Sequence, residues 1–222
     1  MKFFLNNRFN LILTISTLII SVINLYIIIF KSPMIIDQEW AQKIFYYHVP
    51  LAWNFFLAYL IAMIYSFKYL INRKDIEDIN ALAYAEIGTL FCLLVLITGP
   101  IWAIPIWGKP WTWEPRLTTT LLIFITYLIY FMVREFSGTS EKGARLGAVV
   151  CVVAFLQVPL IYYSVDMWSP EIQAHPSRDT VKKSSDLVQN IFLFSLFNFS
   201  LILFLMVRFR IFVEKKLRNF NV

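Results

Sequence analysis

Apolar positions gather into six long runs, at 9–30, 51–71, 81–98, 117–133, 146–165 and 187–207, and the segments between them hold nearly all the charge. A helix that crosses a bilayer needs roughly 20 consecutive, mostly apolar residues. The six runs therefore predict an all-α integral membrane protein, a six-transmembrane helix bundle. The remaining polar chain is too short to wrap six buried helices in a soluble core. The first run could be a signal sequence, since Lys2 and Arg8 precede it. It ends, however, at Phe30-Lys31-Ser32-Pro33 without a small-residue cleavage pattern, so it reads as a retained first helix.

Composition agrees with this pattern. The chain is 59% hydrophobic and 15% charged, against about 25% charged in an ordinary soluble domain. Two cysteines are too few for a disulfide scaffold, and six Gly with nine Pro exclude collagen-like or linker-rich chains. We read residues 1–222 as a single transmembrane domain.

The net charge of +6 acts as an orientation signal. Six spans place both termini on one side. The segments on that side carry thirteen of the twenty Lys and Arg: Lys2, Arg8, Lys68, Arg73, Lys74, Arg134, Lys142, Arg145, Arg208, Arg210, Lys215, Lys216 and Arg218. The bias of basic residues toward the cytoplasm puts both termini there. It also accounts for the basic balance without a nucleic-acid partner. The inner loops 72–80 and 134–145 read as short charged turns. Within 31–50 on the outer side, Ile36, Trp40, Ile44 and His48 recur every four residues, which suggests an amphipathic helix at the interface.

Candidate chemistry collects on the outer side. All seven tryptophans fall there: Trp40, Trp53, Trp102, Trp107, Trp111, Trp113 and Trp168. Aromatic belts place Trp at both interfaces, so a one-sided set with four members between 102 and 113 fits a surface for a large, flat, apolar ligand better. The only two histidines, His48 and His175, are also outside. Imidazole is the commonest protein metal ligand, and one on each face of a macrocycle would give bis-histidine haem iron. Zinc fits less well, because three or four ligands are needed and no cysteine lies outside. Lys109, Arg116 and Arg178 are placed to meet the carboxylates of an amphipathic ligand or, equally, lipid headgroups.

Inside the spans, Glu86 is an unusual charge whose roles include helix pairing. Gln157 and Pro159 suggest a kink, and Cys92 and Cys151 read as small packing residues. The chain has no G-x-S-x-G, P-loop, H-E-x-x-H or C-x-x-C-H motif, so neither an enzyme nor a cytochrome c is expected.

The outer loop, with Gly99-Pro100-Ile101-Trp102 and then Trp107-Gly108-Lys109-Pro110-Trp111-Thr112-Trp113-Glu114-Pro115-Arg116-Leu117-Thr118, resembles the tryptophan-rich WWD signature of the haem-handling superfamily. Tyr47-His48-Val49-Pro50-Leu51-Ala52-Trp53 resembles the H-V-P-x-A-W element of one branch, haem exporter protein C of cytochrome c-type biogenesis. The stretch 158–165 is similar to that family's approach to its second outer histidine. The signature's acidic position is Glu114 where Asp is usual, the turn after Trp107 is tighter than usual, and the run into His175 is longer.

The resemblance implies a six-helix fold with haem-presenting outer loops. His48 and His175 would be axial ligands, and Trp102, Trp107, Trp111, Trp113, Glu114 and Arg116 the platform. Lys109, Arg116 and Arg178 would be candidates for the propionates. It also implies haem b as transient cargo in the bacterial inner membrane, with the working face periplasmic. The implied partners are ABC transporter subunits, a small single-span membrane protein and a membrane-tethered periplasmic haem chaperone. Two other classes remain open at this point. One is a bis-histidine haem redox protein reacting with quinol, which would normally bury haem between helices. The other is a channel or permease half in which the tryptophans only anchor.

Overall fold

The computed structural model describes residues 8–34, 38–137, 141–167 and 184–219, with 165–167 given by backbone alone. His175, Trp168 and Arg178 lie outside the described residues. Among the described residues, six helical segments are long and apolar enough to cross a membrane, as the six apolar runs predict. They are α1 (Arg8–Phe30), a 3-10 turn Glu39–Ile44 leading directly into α2 (Phe45–Asn72), α3 (Asp75–Trp107), α4 (Pro115–Phe136), the pair α5 (Glu141–Phe155) and α6 (Gln157–Met167), and α7 (Asp186–Leu217).

The helices outrun their apolar cores, which corrects three expectations. The amphipathic stretch before Pro50 is no separate interfacial helix, because its second half forms the start of α2 and carries His48. The inner loop 72–80 shrinks to a tight turn, since α3 begins at Asp75 and Arg73 takes φ 57° to end α2. Helix α3 also continues nine residues past Thr98, through Pro100 and Pro105, before Gly108 caps it at φ 72°. Prolines are tolerated in membrane helices where neighbouring groups or water take up the released carbonyls. Both of these sit beyond the apolar run, toward the end of the bundle. At Pro159, by contrast, the chain does break. Proline cannot donate to the carbonyl four residues back, at Phe155, and that residue closes α5, with Leu156 in a turn before α6.

The core forms where α2 packs on α3. Ala81, Ala85, Gly88 and Cys92 make a buried stripe on α3, the small-residue spacing that lets membrane helices approach closely. A Cβ at Gly88 would lie 2.9 Å from Tyr59 Cδ1 and 3.0 Å from Ala58 Cβ. Tyr59 stacks on Tyr127 of α4 with ring centroids 3.7 Å apart and planes 3° from parallel, and its hydroxyl lies 3.2 Å from Thr89 Oγ1. Cys92 and Cys151 are free thiols buried in this core, which is the packing role expected of them.

Helix α1 packs on α7 through polar contacts. Ser21 donates to Asn198 at 2.9 Å, Ser195 to Asn24 at 2.9 Å, and Arg208 to Asn10 at 2.8 Å. The pairings run antiparallel, so Arg8 and Leu217 lie at the same end of the bundle.

That end also holds a chain of ion pairs. Arg134 donates to both oxygens of the buried Asp78, at 2.6 and 2.8 Å, and Arg218 reaches the same carboxylate at 2.9 Å. Arg218 then pairs with Glu214 at 2.8 Å, Glu214 with Arg210 at 2.8 Å, and Arg210 with Glu86. The helix-pairing role considered for Glu86 is thus realised through Arg210. Three arginines and three carboxylates make the chain neutral and tie α3, α4 and α7 together.

Candidate functional site

The opposite end of the bundle gathers the start of α2, the end of α3 and the start of α4, and with them six of the seven tryptophans. His48 lies in the first turn of α2 and Trp102 in the last third of α3. The two helices are antiparallel neighbours joined by the Arg73–Lys74 turn, so their far ends meet. His48 Nδ1 is 2.9 Å from Thr98 Oγ1, and its ring meets Trp102 edge-on with centroids 5.7 Å apart. Gly99 completes the seat, since a Cβ there would stand 3.3 Å from His48 Cε1. Phe45 also meets Trp102, at 6.2 Å, and packs against Phe192 of α7 at 5.5 Å.

Trp102 and Trp107 therefore belong to a helix and not to the loop where the motif places them. Only 108–114 is a loop. It leaves Gly108 exposed together with Lys109 and Pro110, then turns back so that Trp111 and Trp113 meet edge-on at 5.6 Å. Trp113 holds φ 54°, a region that disfavours bulky L-residues, and it is 71% exposed. The next residue, Glu114, is fully buried and precedes Pro115, which opens α4 with its fixed φ. The backbone thus turns one residue outward and the next inward. Arg116 donates to the Tyr162 carbonyl at 3.4 Å, tying this turn to α6, and Tyr162 meets Trp53 at 6.0 Å.

The contacts thus group His48 with Trp102 and Phe45, and Trp111 with Trp113. Lys109 stands exposed at the tip of the loop. Trp102 Nε1, Trp111 Nε1 and Thr112 Oγ1 are among the buried polar atoms here that have no hydrogen-bond partner among the described residues. Buried donors normally find acceptors. An open depression of about 350 Å³ lies alongside, between Gln38, Glu39, Trp40, Ala41 and Ile44 on one wall and Ile101 and Pro105 on the other. Ile44 is one turn before His48 and Ile101 adjoins Trp102, so the depression borders the histidine seat. Lys43 fixes the near wall. Its Nζ donates to the last carbonyls of α1, at Ile28 (3.1 Å) and Ile29, and lies 4.6 Å from the Trp40 ring centroid.

Two contributors were not among the residues singled out in the sequence. Thr98 is the last residue of the apolar run 81–98, and Phe45 belongs to no motif. Thr98 precedes the signature by one position, and with α3 helical it lies one turn before Trp102, so a helical register through Pro100 would have found it.

The family model described as "Heme exporter protein C" matches residues 2–220. Among curated proteins, the chain is similar to "Heme exporter protein C" of Bradyrhizobium diazoefficiens, at 34% identity over 160 residues, which is 71% of this chain and 59% of that protein. It is similar to the protein of the same description from Paracoccus denitrificans, at 35% over 140 residues, 63% of this chain and 58% of the other. The one from Haemophilus influenzae is 31% identical over 141 residues, 62% and 56% of the two chains. The chain thus spans about three fifths of the length of the curated relatives it matches.

Proposed function

Because this chain belongs to the Heme exporter protein C family, we propose that it is a membrane carrier of haem for cytochrome c biogenesis, and not an enzyme. Haem b is its cargo, held at the tryptophan-bearing end of the bundle and handed on. His48 and His175 bind the iron from its two sides. Trp102, Trp107, Trp111 and Trp113, with Glu114 and Arg116 fixing the turn, form the platform, and Lys109, Arg116 and Arg178 receive the propionates. The basic end faces the cytoplasm, with both termini, and the working end faces the periplasm of a bacterial inner membrane. The acceptor is a membrane-tethered periplasmic haem chaperone. ABC transporter subunits and a small single-span protein complete the assembly, and residues 1–222 act as one haem-handling domain.

The observation that carries this reading is the seating of His48 against Thr98, Gly99 and Trp102 beside the tryptophan turn. An open aromatic surface with an imidazole at its edge can bind a flat ligand by area burial and release it to a partner. A histidine in the first turn of a helix, at the end of the bundle, supports a carrier over a redox protein that buries haem between spans.

The test is the visible spectrum of the purified protein with and without added haem. A low-spin Soret band that is lost in the His48→Ala/His175→Ala double variant supports the reading. An unchanged band in that variant overturns the axial assignment, and no binding after haem addition overturns the haem reading itself.

A further inference from the structure

We infer that Thr98 is a positioning residue for His48: it fixes which imidazole nitrogen carries the proton and so presents Nε2 as the ligating atom. The inference rests on the proposed haem reading only for the identity of the metal. The tautomer rests on the hydrogen bonds that Thr98 makes along α3.

A threonine hydroxyl has a single proton. Behind Thr98 Oγ1 lie two carbonyls that can only accept, Leu94 at 2.8 Å and Val95 at 3.4 Å, the usual back-bond of a helical threonine. With its proton in that back-bond, the same oxygen accepts toward His48 Nδ1 at 2.9 Å, which assigns the imidazole proton to Nδ1. In a neutral imidazole with the proton on Nδ1, the lone pair sits on Nε2.

Two further contacts restrict ring rotation. Gly99 lies so close that any side chain there would stand 3.3 Å from Cε1, and the Trp102 ring lies across the imidazole at 62°. Ligating histidines are commonly held through the other ring nitrogen in this way, and loss of that support typically lowers metal affinity about 10–100-fold. Thr98 occupies this supporting position on a different helix from the ligand, so the tautomer depends on the packing of α2 against α3.

The experiment uses the full chain in detergent at pH 8, with ¹⁵N-histidine, first without haem. We expect His48 to appear as the Nδ1–H tautomer in the wild type and in Thr98→Ser. In the isosteric Thr98→Val it shifts toward Nε2–H, and Thr98→Ala serves as a second variant without the hydroxyl should valine disturb folding. Signals are assigned by their loss in His48→Ala. Haem titration then follows: affinity falls about 10–100-fold in Thr98→Val and returns in Thr98→Ser. An unchanged tautomer in both Thr98→Val and Thr98→Ala overturns the inference, as does wild-type haem affinity in those variants when His48→Ala has lost it. If His48→Ala leaves the haem spectrum unchanged, the axial assignment fails on its own, while the ¹⁵N result still decides the role of Thr98.

Discussion

Replacing Asp78 by alanine removes the carboxylate that hydrogen-bonds Arg134. Asp78 is 2% exposed and accepts from Arg134 at 2.6 and 2.8 Å and from Arg218 at 2.9 Å. Arg134 is itself 13% exposed, so its guanidinium would be left desolvated and without its hydrogen-bonded carboxylate. Removing one partner of a buried pair costs about 3–5 kcal/mol. Two features place this case at the lower end. Arg218 is more accessible and keeps Glu214, and Arg134 keeps the Tyr130 ring at 5.6 Å. The expected loss is therefore about 3 kcal/mol. Replacing both residues, Asp78→Ala with Arg134→Met, should cost less than the sum of the single changes by more than 1 kcal/mol, because the double variant leaves no orphaned charge. The assay is reversible unfolding of the detergent-solubilised protein with increasing sodium dodecyl sulfate, followed by far-ultraviolet circular dichroism. A loss below 1 kcal/mol for Asp78→Ala, or additivity within about 0.5 kcal/mol, would show that the network contributes nothing beyond solvated charges.

Three further substitutions probe other parts of the bundle by the same unfolding assay. Gly88→Ala drives a methyl group into Tyr59, whose ring is pinned against Tyr127, and should destabilise by about 1–3 kcal/mol; a neutral result would mean that the α2–α3 contact is looser than described. Trp113→Gly relieves the positive φ that Trp113→Ala retains, so the glycine variant should be the more stable by about 1 kcal/mol, while both weaken haem binding to a similar degree; equal stability would remove the strain argument. Asn24→Leu strips Ser195 of its acceptor between α1 and α7 and should cost about 0.6–1.7 kcal/mol, with no change expected if α1 is held by apolar contact alone.

Hydropathy made the six spans legible because each is a continuous apolar run, and the bilayer requirement leaves few other readings. Where the helices stop was not legible in the same way. Charged residues such as Asp75 and Asp78 fall outside an apolar window yet still belong to a helix, and Pro100 and Pro105 look like the opening of a loop. Glu86 stood out as a charge within a span. Its partner Arg210 is 124 residues away, a distance only the packing of α3 on α7 can close. The histidine and tryptophan set was visible from composition and order, and the resemblance assigned its roles. Thr98 was missed because its significance lies in which atom it faces, and this depends on a helix continuing where two prolines suggest that it ends.

The contacts between α1 and α7 also set a schedule for assembly. Their partners are separated by 171, 177 and 198 residues of chain. At ribosomal rates of roughly 5–20 residues per second, α1 leaves the ribosome about 10–40 seconds before the helix that receives it. During that interval Asn10, Ser21 and Asn24 must sit in or beside the membrane without these partners, so α1 completes its polar contacts only after α7 has emerged.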